Sequence, residues 1–275
     1  ASLTYIVDDD IPAATETTNL PRDYQRRLDK VTKKVFWPML ELADTLVTTS
    51  TYLLERYASQ KTVLLEPGLF LPLPETDDGR DESQLRIALF ATAMHQPDLE
   101  MIAPALRQIQ QRFEQAQLEI IVSRKPPRAL RSLPRATWFS PMTWEDYKHF
   151  VCQRKEDILL APKQETPYNK AKSFIKVLDA AQLGAVGVYS DVRPYNEVVE
   201  HGKNGLLLHN TPEDWYEALE WLIANPGKRS ALRRGSRELA ARIGNPERLT
   251  QFWKDLFFPG RQEVRAKNHR NLAAR

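Results

Sequence analysis

Residues 157–205 read DILLAPKQETPYNKAKSFIKVLDAAQLGAVGVYSDVRPYNEVVEHGKNG, and this stretch decides the fold. It opens on a short apolar run, Ile158–Ala161, and a polar loop ending in Tyr168-Asn169-Lys170. A helical pattern follows from near Ala171 to a stop at Gly184, then a second apolar run, Ala185–Tyr189. A turn with Pro194, a short helix and a His201-Gly202-Lys203-Asn204-Gly205 turn complete it. Short apolar runs bounded by turn residues suit strands buried on both faces. Two such strands joined through a helix form a βαβ unit, which crosses over right-handed in a parallel sheet. Ligands of these sheets bind beyond the carboxyl ends of the strands, where helices begin. That edge carries Asn169, Lys170, Lys172, Ser173, Lys176 and Asp179. A helix N-terminus among lysines suits a phosphate, because its unsatisfied N–H groups and its dipole both favour negative charge.

On a helix starting near Ala171, Lys172, Lys176 and Asp179 share one face, while Phe174, Leu178 and Ala181 turn towards the sheet. One reading seats a diphosphate over the first turn, held by Lys172, Lys176 and the N–H groups near Ser173. The other is a solvated face whose Lys176–Asp179 pair contributes little. The flanking pattern favours the first. Asn169, where the loop meets the helix, reads on its own as a helix N-cap.

These residues also carry a family resemblance. Val177-Leu178-Asp179-Ala180-Ala181-Gln182-Leu183-Gly184, then Ser190-Asp191, Pro194-Tyr195-Asn196-Glu197-Val198-Val199 and Gly202-Lys203-Asn204-Gly205-Leu206 follow one another over about fifty residues. In that order they resemble the donor-binding half of GT-B glycosyltransferases, close to glycosyltransferase family 4. The subgroup with Tyr/Phe-Asn-x-x-Lys-Ser in place of the first acid is the most similar. The resemblance implies that Asp179 holds ribose hydroxyls and that Asn169 and Lys170 face the donor sugar. It also implies a metal-independent hexosyltransferase-like enzyme with a nucleotide-diphosphate sugar as substrate and no cofactor. Two departures stand out. Ala171 occupies the place of the family's first acid, which normally touches the transferred sugar. The loop after the strand Arg86–Ala91 lacks the Arg and Lys of many relatives, so the lysines of 163–176 take over that charge. In that loop His95 and Asp98 match the subgroup's Thr-x-x-His-x-x-Asp stretch; His95 meets the phosphate or the acceptor, or makes only a structural hydrogen bond.

The 275 residues allow one large domain or two ordinary ones, and 42% apolar residues suffice for a core. A net charge of +3 does not demand nucleic acid, and the lysines cluster at one helix start rather than along a groove. A single cysteine, Cys152, excludes an internal disulfide and a cysteine-built metal cluster, and reads as packing filler. Without a long apolar run or a signal peptide, the plain expectation is a cytoplasmic protein. Ala rather than Met at the first position points to a fragment or a processed chain.

The fold class expected is α/β: a doubly wound, Rossmann-like parallel sheet of GT-B type preceded by part of a second such domain. Residues 1–70 read as a partial acceptor-side segment and 71–84 as a linker rich in Pro, Asp and Glu. Residues 85–245 read as the nucleotide-sugar domain, and 246–275 as a helix crossing back towards the first domain plus a frayed tail. Asp8-Asp9-Asp10 ends the first strand. Asp9 there is a candidate base or acceptor-binding group, with a metal pair (Asp8, Asp10) and a polar strand end as the competing readings. Asp9 and His95 are therefore the catalytic candidates. Glu197 and the tryptophans Trp215, Trp221 and Trp253 read as structural. The expected reaction moves a sugar to a hydroxyl on a glycan or lipid-linked acceptor, with the enzyme peripheral to a membrane, and a truncated chain would bind donor but turn over poorly. The rivals are a degenerate nucleotide- or partner-binding module and a sugar-nucleotide epimerase.

Overall fold

The computed structural model describes residues 2–16, 22–74, 80–122 and 127–259. The chain starts with β1 (Thr4–Val7) and α1 (Ile11–Thr15), whose cap is Asp10. Next, α2 (Arg22–Val31) runs through a wide π turn at Thr32–Phe36 into α3 (Trp37–Leu42). Then come β2 (Thr45–Thr48), α4 (Thr51–Arg56) and β3 (Thr62–Leu64). The three strands form a parallel sheet in the order β1-β2-β3. As the sequence indicated, Ser50 caps α4, its hydroxyl accepting from the Leu53 N–H at 3.3 Å.

The second sheet is built from β4 (Leu85–Phe90), α5 (Gln96–Arg112), β5 (Ala116–Ile121), β6 (Ala136–Phe139), α6 (Trp144–Cys152) and β7 (Ile158–Ala161). It continues with α7 (Pro167–Lys170), α8 (Ile175–Gln182), β8 (Val186–Ser190) and β9 (Leu206–Leu208). Three helices close the chain: α9 (Pro212–Ala224), α10 (Pro226–Ile243) and α11 (Pro246–Phe257). All neighbouring strands are parallel, in the order β6-β5-β4-β7-β8-β9. This is the doubly wound order expected. Its direction reverses between β4 and β7, which makes the gap beyond their carboxyl ends the natural ligand crevice. Two apolar layers cover the sheet, one from α5 and α9, the other from α8 and α10.

Four local readings need correction. The helix expected from near Ala171 is two helices, α7 and α8, separated by residues 171–174. Thr166 and Pro167 open the first piece. The Ala171 carbonyl then accepts from the Ser50 hydroxyl at 2.8 Å instead of feeding a continuing helix. Lys172 therefore lies in the turn, off the face shared by Lys176 and Asp179. Cys152 is exposed, because Val151 takes the inward position at the end of α6. Trp215 is buried as expected, but Trp221 is 40% exposed on the outer side of α9. Trp253 stacks on Phe257 with ring centroids 5.5 Å apart, on a helix with no buried residue. The tail Arg261–Arg275 and the middle of the 71–84 segment lie outside the described residues.

The first three strands meet the second sheet through particular contacts. Ala171 is packed among Val7, Phe36, Leu46 and Leu53 of the first part. Arg193 pairs with Glu55 at 2.6 Å and with Glu197 at 2.9 Å, and Thr51 donates to Glu197 at 2.6 Å. Glu197 is thus structural, as the sequence suggested. Arg248 of α11 pairs with Glu66 at 3.0 Å, so the last helix does return to the end of the first part.

Candidate active site

Two cavities meet at the crevice. The larger, about 700 Å³, lies over the ends of β4, β5 and β7 and beside α6, against Phe90, Ile121, Met142, Trp144 and Tyr147. The smaller, about 410 Å³, opens towards the first sheet and is lined by Asp8, Asp9, Thr49, Lys172, Ser173 and Leu249. Thr92, His95, Lys163, Lys176 and Tyr195 line both, so the cavities share one wall. Next to that wall α8 begins without a side-chain cap, at Ser173 and Ile175.

Lys163 lies two residues past β7, after Pro162. Its N–H donates to the Ser190 hydroxyl at 2.7 Å and its carbonyl accepts from the Asn210 amide at 2.7 Å, which pins the backbone. The residue is 5% exposed, and its ammonium lies 5.6 Å from the centre of the Tyr195 ring. Burial, then repulsion from Lys172, pushes its pKa down to about 7. The other two lysines have partners. Lys172 Nζ sits 2.5 Å from Asp9 Oδ1 and 2.8 Å from the Tyr168 hydroxyl. Burial opposes its charge, but Asp9 and Tyr168 outweigh it and raise the pKa. Lys176 Nζ sits 2.8 Å from Asp179 Oδ2, which also accepts from the Tyr147 hydroxyl at 3.4 Å. Here too burial is outweighed, by Asp179 and Tyr147, and the pKa is raised. Three lysine side chains, two of them already paired with carboxylates, and an uncapped helix start thus lie beside the cavities, an arrangement that suits an anion.

His95 Nδ1 lies 2.9 Å from Asp98 Oδ2, and its ring stacks on Tyr168 at 6.4 Å. Burial lowers its pKa, partly offset by the Asp98 hydrogen bond, so the ring is neutral near pH 7. The structure therefore brings Asp9, His95, Lys172, Ser173 and Lys176 together on the crevice. It places the other three expected residues elsewhere. Asn169 is not an N-cap: Thr166 holds that post, and the Asn169 amide donates to Asp98 at 3.1 Å and to the Gln164 carbonyl at 3.0 Å. Lys170 pairs with Glu165 at 2.8 Å, away from both cavities. Asp179 is buried behind Lys176. Asp10, one half of the pair read as a metal site, caps α1 and bonds Arg56 at 2.6 Å and Tyr57 at 2.9 Å. Among the described residues no group of three or more His, Cys, Asp or Glu is gathered as for a metal ion.

The sequence matches the family of glycosyl transferases group 1 over residues 86–225, just over half of the 275 residues. The chain belongs to that family. Solved structures agree in fold with this glycosyltransferase. Sucrose-phosphate synthase from Thermosynechococcus elongatus aligns at a TM-score of 0.65 and 17% identity, over 92% of this chain and 67% of that one. HepE from Anabaena, in complex with UDP and glucose, aligns at 0.65 and 12% identity, over 93% and 71%. WaaG, a glycosyltransferase involved in lipopolysaccharide biosynthesis, aligns at 0.66 and 14% identity, over 94% and 75%. The chain spans from half to three quarters of the length of the structures it resembles. No curated protein matches the glycosyltransferase sequence. No described helix is long and apolar enough to cross a membrane.

Sequence reasoning named the lysines of 163–176 only as a group and did not single out Lys163. Its place in the loop just past a buried strand was a legible sign, since strand ends line the crevice. Trp144, Tyr147 and Met142 were not separable from packing residues, because their shared cavity forms only when α6 docks beside β4 and β5.

Proposed function

We propose that this glycosyltransferase moves a sugar from a nucleoside-diphosphate sugar to a hydroxyl acceptor. The observation that carries the reading is the shared wall of the two cavities, which holds Lys163 and Lys176, with Lys172 and the start of α8 beside it in the smaller cavity. The larger cavity takes the base against Trp144 and Tyr147, the diphosphate lies on the lysines, and the sugar projects into the smaller cavity beside Asp9 and His95. Catalysis then rests mainly on stabilising the departing diphosphate, a preorganised electrostatic effect that needs no metal. Asp179 acts through Lys176, and Asp9 holds Lys172 on the acceptor side. The acceptor is a glycan or lipid-linked hydroxyl compound presented at a membrane surface; the lipopolysaccharide context of WaaG and the UDP and glucose of HepE are in keeping with this class.

The test is calorimetric titration of UDP, GDP, ADP and TDP into the chain, with Lys163→Ala, Lys172→Ala and Asp179→Ala alongside. One diphosphate should bind, and each substitution should weaken it by about tenfold or more, as expected for losing a charge-assisted contact. Equal affinity in the wild type and all three variants would overturn the site, and absence of any binding would overturn the reading. A second reading, a nucleotide-binding module without turnover, is favoured by Ala171 standing where the resembling family has an acid. Sugar transfer by the full-length polypeptide separates the two.

A further inference from the structure

Residues 22–37 carry six cationic side chains, Arg22, Arg26, Arg27, Lys30, Lys33 and Lys34, against two acids, Asp23 and Asp29. All six are exposed. Among the described residues the stretch forms one ion pair, Arg26 with Asp23 at 3.5 Å, itself open to water. A helix of a globular protein turns one apolar stripe inward. Here that stripe is Leu28, Thr32 and Phe36, all buried. Further apolar side chains nevertheless stay open to solvent among the cations: Tyr24, Trp37, Val35 at 48% exposure and, at the end of α3, Leu42 at 68%. Cations and bulky apolar groups on one outer surface suit the boundary of an anionic bilayer, where the cations meet lipid phosphates and the apolar groups enter the acyl region. Nucleic acid would answer the charge but leave Val35 and Leu42 in water.

The inner side of the same stretch reaches the site. Leu28 shares a buried cluster with Tyr168, whose hydroxyl lies 2.8 Å from Lys172 Nζ. Phe36 shares another with Ala171, the residue before Lys172. Lys172 and Asp9 line the smaller cavity. We propose that the outer side of α2, the π turn and α3 docks on an anionic lipid bilayer and brings the smaller, acceptor-side cavity to the membrane surface. The acceptor half of this inference rests on the transferase reading above, and the docking half does not. No described helix is long and apolar enough to cross a membrane, so these helices lie on the surface, held by charge and by shallow insertion of Val35, Trp37 and Leu42. A hydroxyl on a lipid headgroup then meets the cavity without its acyl chains leaving the bilayer.

Co-sedimentation of the chain with vesicles tests this without any sugar nucleotide. Vesicles of phosphatidylcholine with about 30% phosphatidylglycerol should hold the chain, and vesicles of phosphatidylcholine alone should not. Lys30→Gln, Lys33→Gln and Lys34→Gln combined should lower vesicle affinity about a hundredfold, at about fivefold per cation near the surface. Val35→Asp should lower it about tenfold or more, by putting an acid where the apolar group inserts. A matched triple on α10, Lys228→Gln, Arg234→Gln and Arg237→Gln, removes the same charge elsewhere and should change affinity less than about threefold. All these positions are exposed, so melting temperatures should stay within about 2 °C of the wild type. Equal losses in the two triples, or no binding of the wild type to the anionic vesicles, overturns the proposal. So does a dimer that the Lys30, Lys33 and Lys34 substitutions dissociate, since a second copy then covers this face. Binding to duplex DNA but not to the vesicles would assign the stretch to nucleic acid and overturn it as well. Vesicle binding without sugar transfer by the full-length polypeptide would leave the docking intact and overturn the acceptor role alone.

Discussion

Lys163 stands where a strand end and two further lysines meet, and its charge is held least firmly of the three. Its pKa is lowered to about 7, first by burial and then by Lys172. A diphosphate beside it restores the charge, so above pH 7 binding must take up a proton. Affinity should then weaken by up to about tenfold per pH unit between about pH 7.5 and 9, and calorimetry at about pH 8 should show buffer-dependent heats. Lys163→Met should abolish both. Folding lowers this pKa, so the unfolded chain binds more protons above pH 7, and this residue's contribution to stability rises with pH there. Ala171 tells a different residue-scale story. It is 0% exposed among Val7, Phe36, Leu46 and Leu53, so an acid restored at this position would have no water and no cationic partner in that cluster. Ala171→Glu should therefore cost about 2–4 kcal/mol, a melting-point drop on the order of 5–10 °C, and should not raise turnover. A variant that melts normally and transfers faster would sink this account.

The elements around the crevice are set by their ends. After α8, Gly184 adopts φ 63°, with its N–H on the Ala181 carbonyl and the Ala185 N–H on the Ala180 carbonyl, a Schellman stop that turns the chain into β8. An added Cβ would also approach Arg80 Nη2 at 2.7 Å. Gly184→Ala should cost about 1–2 kcal/mol from the left-handed backbone alone, seen as a lower melting temperature with unchanged diphosphate affinity at about 25 °C. This stop was readable from sequence, as were the β7 bounds and the Ser50 cap, because each depends on neighbours along the chain. The break between α7 and α8 was not. Its cause is Ser50, more than a hundred residues earlier, taking the Ala171 carbonyl. The same physics explains the site. Lys172 and Lys176 were legible from strand-end and helix-start placement, and His95 from the resemblance of its loop. The Lys176–Asp179 pair was legible too, from its spacing on one helix, but the use of Asn169 on Asp98 and of Asp10 on Arg56 and Tyr57 depends on tertiary approach that no spacing encodes.

At the scale of the molecule, stability is tied to pH by a carboxyl pair far from the crevice. Glu156 precedes β7 and is 0% exposed, and neither of its carboxyl oxygens has a hydrogen-bond partner among the described residues. Glu119 on β5 is close by and is itself engaged by Arg154, whose guanidinium also lies 4.7 Å and 4.5 Å from the Phe139 and Phe150 rings. Burial first, and then the neighbouring Glu119 charge, raise the Glu156 pKa above the usual carboxylate range. The sign follows from linkage. Above the ordinary carboxylate pKa the unfolded chain has lost this proton while the folded chain keeps it, so stability falls as pH rises until the folded group ionises as well. This window opens below the one set by Lys163 and has the opposite slope, so single substitutions separate them. Glu156→Gln retains the shape and removes the ionisation. Its melting temperature should match the wild type near about pH 5 and exceed it by several degrees at about pH 8. Equal melting curves at the higher pH would mean that water or Arg154 satisfies the Glu156 carboxylate in solution, and that this buried pair does not govern the pH response of the whole chain.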